Sequence, residues 1–156
     1  MSFSSDTKNE LSKINNVSTS AAICELMGAI AYGSRIKREK GVLKLITVTE
    51  NPKIARRIFQ LMKDSVGITS KIKIHKTSSG NVVYYVYTEN ADAVALMVSL
   101  GFISKPSEIN YFTSIRVNTD YMDKSVKMKA FLRGAFLTTG AVMSFKTPFS
   151  LFILLP

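Results

Sequence analysis

The spacing of apolar residues predicts alternating helices and hairpins. Apolar side chains recur three or four residues apart where a helix is expected, and at every second residue where a strand is expected. Between Ser20 and Leu100 the predicted order is helix, hairpin, helix, hairpin, helix. A short amphipathic helix over residues 4–16 precedes this unit, and another helix is expected from about Asp120 to Gly140.

Local signals mark where these elements begin and end. Ser20 precedes the first apolar helix of the unit and is expected to cap it, and Asn51 followed by Pro52 is typical of a second helix start. Gly67 is expected to end that second helix. The charged hairpin between the two helices is expected to turn near Gly41.

The second hairpin alternates basic and apolar residues. In the segment KIKIHK, Lys71, Lys73 and His75 fall on one face of a strand, and Ile72 and Ile74 fall on the other. We expect the isoleucines to face the helices and the basic side chains to face away from them. The return strand VVYYVY carries tyrosines (Tyr84, Tyr85 and Tyr87) that either contact bases and sugars or pack within the sheet.

Two helices about one hundred residues apart are unusually rich in glycine and alanine. LMGAIAYG at 26–33 and LRGAFLTTG at 132–140 both end in glycine and both precede a β-prone stretch. Since small side chains allow helix backbones to approach closely, these helices are expected to pack side by side. The predicted helix-pair interface consists of Gly28, Ala29, Gly134 and Ala135.

The second of these helices carries a family resemblance. LRGAFLTTG resembles the LAGLIDADG helix of homing endonucleases without gaps, with Leu132, Gly134 and Gly140 at its leucine and glycine positions. The phrases MSFSSDTKNEL, TENPKIARRIFQLMK and KAFLRGAFLTTGAV resemble the N-terminal domain of WhiA-type regulators. These bacterial transcription factors of sporulation and cell division join a degenerate LAGLIDADG domain to a C-terminal helix-turn-helix domain.

The resemblance implies an α+β fold of the LAGLIDADG homing endonuclease type. Its αββαββα repeat would carry an antiparallel, saddle-shaped sheet, and the second repeat would be incomplete here. We expect the chain to be truncated before the helix-turn-helix. The implied parts are an N-terminal helix at 1–18, a first repeat at 19–101, a linker and helix at 102–128, and the start of a second repeat at 129–156.

The resemblance also predicts that nuclease chemistry is absent. A LAGLIDADG nuclease has an acidic residue just before each terminal glycine, because the two carboxylates share the Mg²⁺ ions that activate water. Here Tyr32 precedes Gly33 and Thr139 precedes Gly140. We therefore expect a protein that is not an enzyme, with no metal and no cofactor.

The remaining reactive side chains have ordinary interpretations. Cys24 lies in an apolar helix far from His75, the only histidine, so a buried structural thiol is expected. Glu25 and Asp92 are interpreted as acids on helix surfaces. A single cysteine also excludes a disulfide within the chain.

Positive charge is the stronger functional signal. The chain has 21 Lys and Arg against 11 Asp and Glu, a net charge of +10. Residues 35–76 hold 12 basic and 3 acidic side chains, so most of the excess lies in the hairpin region. In the resembled fold the hairpins lie along DNA. The candidate phosphate-binding residues are Arg35, Lys37, Arg38, Lys40, Lys44, Lys71, Lys73, His75 and Lys76.

Two other interpretations of this surface stay open. The lysines could form an ordinary solvated sheet face of a basic protein. Alternatively, the domain could be an interaction module whose DNA binding resides in a helix-turn-helix outside this chain. Salt-dependent binding to arbitrary duplex DNA would separate these possibilities.

The expected partner is double-stranded DNA, with no small-molecule cofactor. The N-terminus lacks the apolar core of a secretory signal, and no apolar run is long enough to span a bilayer. A cytoplasmic, nucleoid-associated protein without a membrane partner is therefore expected. The apolar tail at 149–155 is expected to lack cover, which would favour self-association.

Overall fold

The computed structural model describes residues 3–106, 115, 117–144 and 149–153. Within these residues the chain forms five α-helices, six strands and a short 3-10 helix. In chain order the elements are α1 (Phe3–Leu11), α2 (Thr19–Gly33), β1 (Ser34–Glu39), β2 (Val42–Thr49), α3 (Pro52–Val66), β3 (Lys71–Lys76), β4 (Val82–Glu89), α4 (Asn90–Ser99), the 3-10 helix (Thr119–Tyr121), α5 (Ser125–Thr139), β5 (Gly140–Ser144) and β6 (Phe149–Ile153).

The segment from α2 to α4 has the predicted αββαββα order. Its four strands form one antiparallel sheet in the order β1-β2-β4-β3, so the two hairpins meet through β2 and β4. Lys40 and Gly41 turn the first hairpin, both with positive φ, which is the geometry of a tight two-residue turn. The predicted α+β class is therefore present.

The helix ends confirm two sequence signals. The Asn51 side chain accepts a hydrogen bond from the Lys53 N–H at 2.9 Å, with Pro52 in the first turn of α3. Gly67 ends α3 in the left-handed conformation, with φ of 70°. Both ends follow from local chemistry alone, because they satisfy backbone groups that the helix leaves unpaired.

Two predicted helix starts are wrong. Ser18, and not Ser20, caps α2, because the Ser18 hydroxyl accepts a hydrogen bond from the Ala21 N–H at 3.1 Å. The last helix begins at Ser125 and not near Asp120, because residues 119–121 form a separate 3-10 turn. Asn118 caps that turn by accepting from the Asp120 N–H at 3.0 Å.

The core lies between one face of the sheet and the helices. Leu26, Met27 and Ile30 of α2 are fully buried at its centre. Leu45 and Val86 reach it from the two central strands. From α3 and α4 it receives further buried apolar side chains, namely Ile54, Ile58, Met62, Leu96 and Met97.

The helices α2 and α5 cross with their backbones in contact. A Cβ added at Gly28 would lie 2.9 Å from the Ala135 nitrogen and would overlap the Phe131 carbonyl. A Cβ added at Gly134 would lie 2.9 Å from the Ala29 nitrogen and would overlap the Glu25 carbonyl. The structure thus places Gly28, Ala29, Gly134 and Ala135 at the crossing, and the two sets of contacts mirror each other.

The α1 helix lies beside the second half of the molecule. It contacts α5 and β5, and the Lys8 ammonium lies 5.7 Å from the centre of the Phe136 ring. Burial of this side chain lowers the pKa of Lys8. The strands β5 and β6 pair as a separate antiparallel hairpin. The side chains of the apolar tail at 149–155 lie outside the described residues, so self-association stays a prediction.

Candidate nucleic-acid interface

The sheet face opposite the core gathers most of the predicted basic residues. Along each strand, alternate side chains point to opposite faces, and the pairing register shows which positions are neighbours. Arg35 pairs with Ile46, Lys37 pairs with Lys44, and Lys73 pairs with Tyr85. We call this surface the open face; its basic members are Arg35, Lys37, Lys44, Lys71, Lys73 and His75.

Three predicted residues do not join the open face. Arg38 pairs with the buried Leu43, so it lies on the helix side of the sheet, and Lys76 lies on that side as well. Lys40 lies in the turn between β1 and β2. Strand alternation was applied only to Lys71, Lys73 and His75, and the density of charge grouped the other six cations with them.

Aromatic and apolar side chains form the floor between the two basic edges. Ile46, Tyr85 and Tyr87 lie between the cations of β1 and those of β3, and line one shallow depression with them. The Lys44 ammonium lies 5.4 Å from the centre of the Tyr87 ring, within the range of a cation–π contact. Tyr84 is on the other face, because it pairs with Ile74 on the helix side.

Two glutamates on the same face pair with part of the basic set. Glu39 lies 3.5 Å from the Lys37 ammonium and 4.0 Å from that of Lys44. Glu89 lies 2.9 Å from the Lys71 ammonium, and this hydrogen bond lowers the pKa of Glu89 and raises the pKa of Lys71. The sequence analysis missed both acids. Alternation in VVYYVYTE could have placed Glu89 on the same face as Tyr85 and Tyr87, but only the pairing of β2 with β4 puts it beside Lys44.

Arg35 and Lys73 differ from the three other lysines of the open face, each of which lies near a glutamate. Both side chains are exposed, and neither has an acidic partner within 4 Å among the residues that the structure describes. They lie on opposite edge strands, with the floor of Ile46 and the tyrosines between them. Their charges are therefore the ones most available to an anionic partner.

The mirrored helix crossing identifies the residues at the nuclease positions. Because Gly28 corresponds to Gly134, each residue of α2 corresponds to the one 106 positions later. Thr139 therefore corresponds to Gly33. The sequence analysis had instead matched Thr139 with Tyr32, because each precedes a glycine. Neither position carries a carboxylate, since one is a glycine and the other a threonine. The Thr139 hydroxyl donates to the Ala135 carbonyl at 3.0 Å. Within the described ranges, no three His, Cys, Asp or Glu side chains form a group able to hold a metal ion.

Glu25 is not a surface acid, contrary to the sequence interpretation. Its side chain is fully buried and binds two arginines, Arg57 of α3 at 2.9 Å and Arg133 of α5 at 2.5 Å. The amide of Asn16 donates to Glu25 at 3.3 Å and accepts from Arg133 at 2.6 Å. The apolar neighbours of Glu25 in the sequence offer its carboxylate no partner. Its burial is explained by the arginines that reach it from two other helices.

Comparison with known protein families agrees with this architecture. The family model described as the WhiA N-terminal LAGLIDADG-like domain matches residues 19–103, which is the segment from α2 to the end of α4 and a few residues beyond. The chain belongs to the WhiA N-terminal LAGLIDADG-like domain family. The match to the family rests on more than half of the chain and includes all four strands of the sheet with the open face.

Named relatives match most of the length of this WhiA-family chain. It is 33% identical over 153 residues to the "Probable cell division protein WhiA" of Thermoanaerobacter pseudethanolicus, and 32% identical over 144 residues to that of Ligilactobacillus salivarius. Each match covers 91% of this chain but only 46% and 44% of the relative. The chain thus spans slightly less than half the length of these relatives.

Solved structures show the same fold. The crystal structure of full-length DUF199/WhiA from Thermatoga maritima matches with a TM-score of 0.61 at 20% identity, over 92% of this chain and 41% of that one. The crystal structure of the N-terminal LAGLIDADG domain of DUF199/WhiA matches with a TM-score of 0.62 at 22% identity, over 90% and 60% respectively. The fold is therefore α+β and LAGLIDADG-like. Among the described residues, no helix is both long and apolar enough to cross a bilayer.

Proposed function

We propose that this WhiA-family domain is a non-catalytic DNA-contacting part of a transcription regulator of cell division and sporulation, acting at the nucleoid in the cytoplasm. The observation that carries the proposal is the open face, where six basic side chains share one side of a four-stranded sheet. Phosphate contacts through such side chains supply affinity that does not depend on base sequence.

The geometry of the open face supports contact with two separate rows of phosphates. The strands that carry Arg35 and Lys73 are separated by β2 and β4, which corresponds to about 14 Å at the usual strand spacing of about 4.8 Å. The side chains between them are mostly apolar or aromatic, so the positive charge is concentrated along the two edges. This distribution suits a surface that binds a duplex along its backbones.

The helix ends support a role without catalysis. Gly33 and Thr139 occupy the two positions at which a LAGLIDADG nuclease would hold its metal-binding carboxylates. Gly33 has no side chain and Thr139 carries a neutral hydroxyl, so neither residue can coordinate Mg²⁺ as an anion. We therefore expect a supercoiled plasmid incubated with the protein and excess Mg²⁺ to stay intact. Metal-dependent cleavage would contradict this part of the proposal.

Charge reversal on the two faces of the sheet tests DNA contact directly. The variant Arg35→Glu/Lys73→Glu alters the open face, whereas Arg38→Glu/Lys76→Glu alters the helix side of the same two strands with the same change in net charge. Fluorescence anisotropy with a labelled duplex of arbitrary sequence measures the affinity at several salt concentrations. We expect the open-face variant to bind at least about tenfold more weakly and to lose about two units of the salt slope.

The matched variant separates contact from overall charge. It should bind within about threefold of the parent protein, since long-range attraction falls off over a Debye length of about 10 Å at 0.1 M salt. Equal weakening in both variants would show that only net charge matters. A parent protein that does not bind duplex DNA at low salt would favour an interaction module whose DNA binding resides in another domain.

A further inference from the structure

The β3 strand forms one edge of the sheet, and no other described strand pairs with its outer side. It pairs with β4 on one side only, and all six of its residues are exposed. Within the described part of the chain, its only extensive packing is against β4. An edge strand offers a row of backbone N–H and C=O groups that can pair with another extended segment.

The helix side of β3 carries uncovered apolar side chains. Ile72 pairs with the fully buried Val86, yet it is 44% exposed, and Ile74 is 63% exposed. On β2, the equivalent side chains Leu43 and Leu45 are buried by the helices. The expectation that Ile72 and Ile74 pack against helices is therefore wrong, because no described helix extends over the outermost strand.

The other side of the same strand is basic. Lys71, Lys73 and His75 alternate with the two isoleucines and face the open side. Lys71 forms an ion pair with Glu89, which also lies near Lys44. Lys73 has no acidic partner within 4 Å among the described residues. The edge thus presents apolar groups on one side and positive charge on the other, with a free backbone between them.

This combination disfavours a second copy of the chain as the natural occupant. Pairing β3 with another β3 would bring lysines opposite lysines, and like charges placed across a strand pair are destabilising. Lysine on an edge strand is a common protection against such self-pairing. A segment of opposite charge meets no such barrier.

We propose that β3 accepts an extended segment of a partner protein, in which apolar residues alternate with Asp or Glu, as a fifth strand of the sheet. The apolar side chains of the segment lie beside Ile72 and Ile74, and its carboxylates lie beside Lys71 and Lys73. Backbone hydrogen bonds supply affinity, and the alternation sets the register, as in other cases of strand addition. This surface shares Lys71 and Lys73 with the open face, whereas Ile72, Ile74 and the strand's edge backbone belong to it alone.

A synthetic peptide tests the proposal with the chain as it stands. The probe is a fluorescein-labelled, end-blocked peptide with the sequence VEVEVEVE, and its control has the same composition in the order EEEEVVVV. We expect the alternating peptide to bind at least about tenfold more tightly, because only it can place valines on one side and carboxylates on the other. Equal binding of the two peptides would reduce the interaction to charge attraction and overturn the proposal, as would failure of the alternating peptide to bind.

Variants of the protein locate the peptide on β3. Ile74→Thr should weaken binding of the alternating peptide by about tenfold, since it removes an apolar contact on the helix side. Val48→Thr is the matched control, because Val48 is an exposed β-branched residue on β2, away from the edge. Both side chains are exposed, so thermal unfolding should be unchanged in both variants. Similar affinities of the two variants for the peptide would show that β3 is not the site.

Discussion

The two crossing helices, α2 and α5, are alike where they touch and differ in how other parts of the protein cover them. At the crossing, Gly28 meets α5 in the way that Gly134 meets α2, with matching distances of 2.9 Å to the opposing backbone nitrogen. Away from it, Leu26 is fully buried, whereas its counterpart Leu132 is 48% exposed. The sheet and α3 cover α2, and among the described residues no equivalent layer covers that side of α5.

The difference teaches that backbone contact and side-chain cover are separate requirements. Both helices need small residues at the crossing, because a Cβ at either glycine would overlap a backbone carbonyl. The flanking positions have diverged in chemistry, with the buried acid Glu25 in α2 at the place of Phe131 in α5. Glu25 draws Arg133 toward α2, so one polar cluster ties the two halves together.

The largest effect is expected from removing the acid that distinguishes α2 from α5. Glu25→Ala leaves the two arginines partly buried without their carboxylate, and breaking a buried ion pair in this way costs about 3–5 kcal/mol. The free energy of unfolding, measured with urea, should fall by that amount. Asp92→Ala is the control, since Asp92 is an exposed acid on α4 and its loss should stay within about 0.5 kcal/mol.

A triple variant sharpens the same point. Replacing Glu25, Arg57 and Arg133 together by Leu, Met and Met removes every charge of the cluster and leaves apolar groups of similar length. Such replacements of buried ion pairs are often neutral or stabilising. We expect the triple variant to be more stable than Glu25→Ala alone, and a triple variant that is the least stable of the set would contradict this account.

The second effect compares the two leucines directly. Leu26→Ala opens a cavity in a fully buried site and should cost about 3 kcal/mol. Leu132→Ala removes a half-exposed side chain and should cost less than about 1 kcal/mol. Urea denaturation of both variants measures the difference. Equal losses would mean that the outer side of α5 is covered in solution, for example by self-association.

The sequence predicted the features that depend on neighbouring residues. Local chemistry explains why α3 begins at Asn51–Pro52 and ends at Gly67. The change between helical and strand spacing of apolar residues likewise predicts the αββαββα order. Three phrases together, MSFSSDTKNEL, TENPKIARRIFQLMK and KAFLRGAFLTTGAV, pointed to the family that the comparisons confirm.

The features that the sequence missed depend on distant parts of the chain. Glu25 is interpretable as a buried acid only when Arg57 and Arg133 are known to meet it, 32 and 108 residues away. Arg38 and Lys76 are an exception, because alternation along their own strands already places them on the helix side of the sheet and the density of charge obscured it. Ile72 and Ile74 are exposed because no described helix extends over β3. The sequence of the strand does not show how far the helix layer extends, so their burial was wrongly predicted.

The third effect tests the symmetry of the crossing. Gly28→Ala and Gly134→Ala should each destabilise the protein, because the added methyl groups meet backbone atoms that cannot rotate away. Overpacking of this kind costs about 1–3 kcal/mol, reduced here by the better helix propensity of alanine. The two losses should agree within about 0.5 kcal/mol. Lys129→Ala on the exposed side of α5 is the control and should leave stability unchanged.

The smallest effect is expected where the two helices already agree in burial. Cys24 and its counterpart Ala130 are both about 2% exposed, and the Cys24 thiol adds only a weak contact with the Tyr121 carbonyl at 3.7 Å. Cys24→Ala should therefore cost about 1 kcal/mol, the value of one small buried group.

The thiol itself reports on the same position without a substitution. Burial raises the pKa of Cys24, so little thiolate forms near neutral pH and the sulfur is shielded from reagents. A disulfide reagent such as DTNB should modify Cys24 only as fast as α2 separates locally from its cover, and in urea the reaction should become rapid. Rapid modification of the native protein would show that α2 is as loosely covered as α5, which would remove the contrast between the two helices.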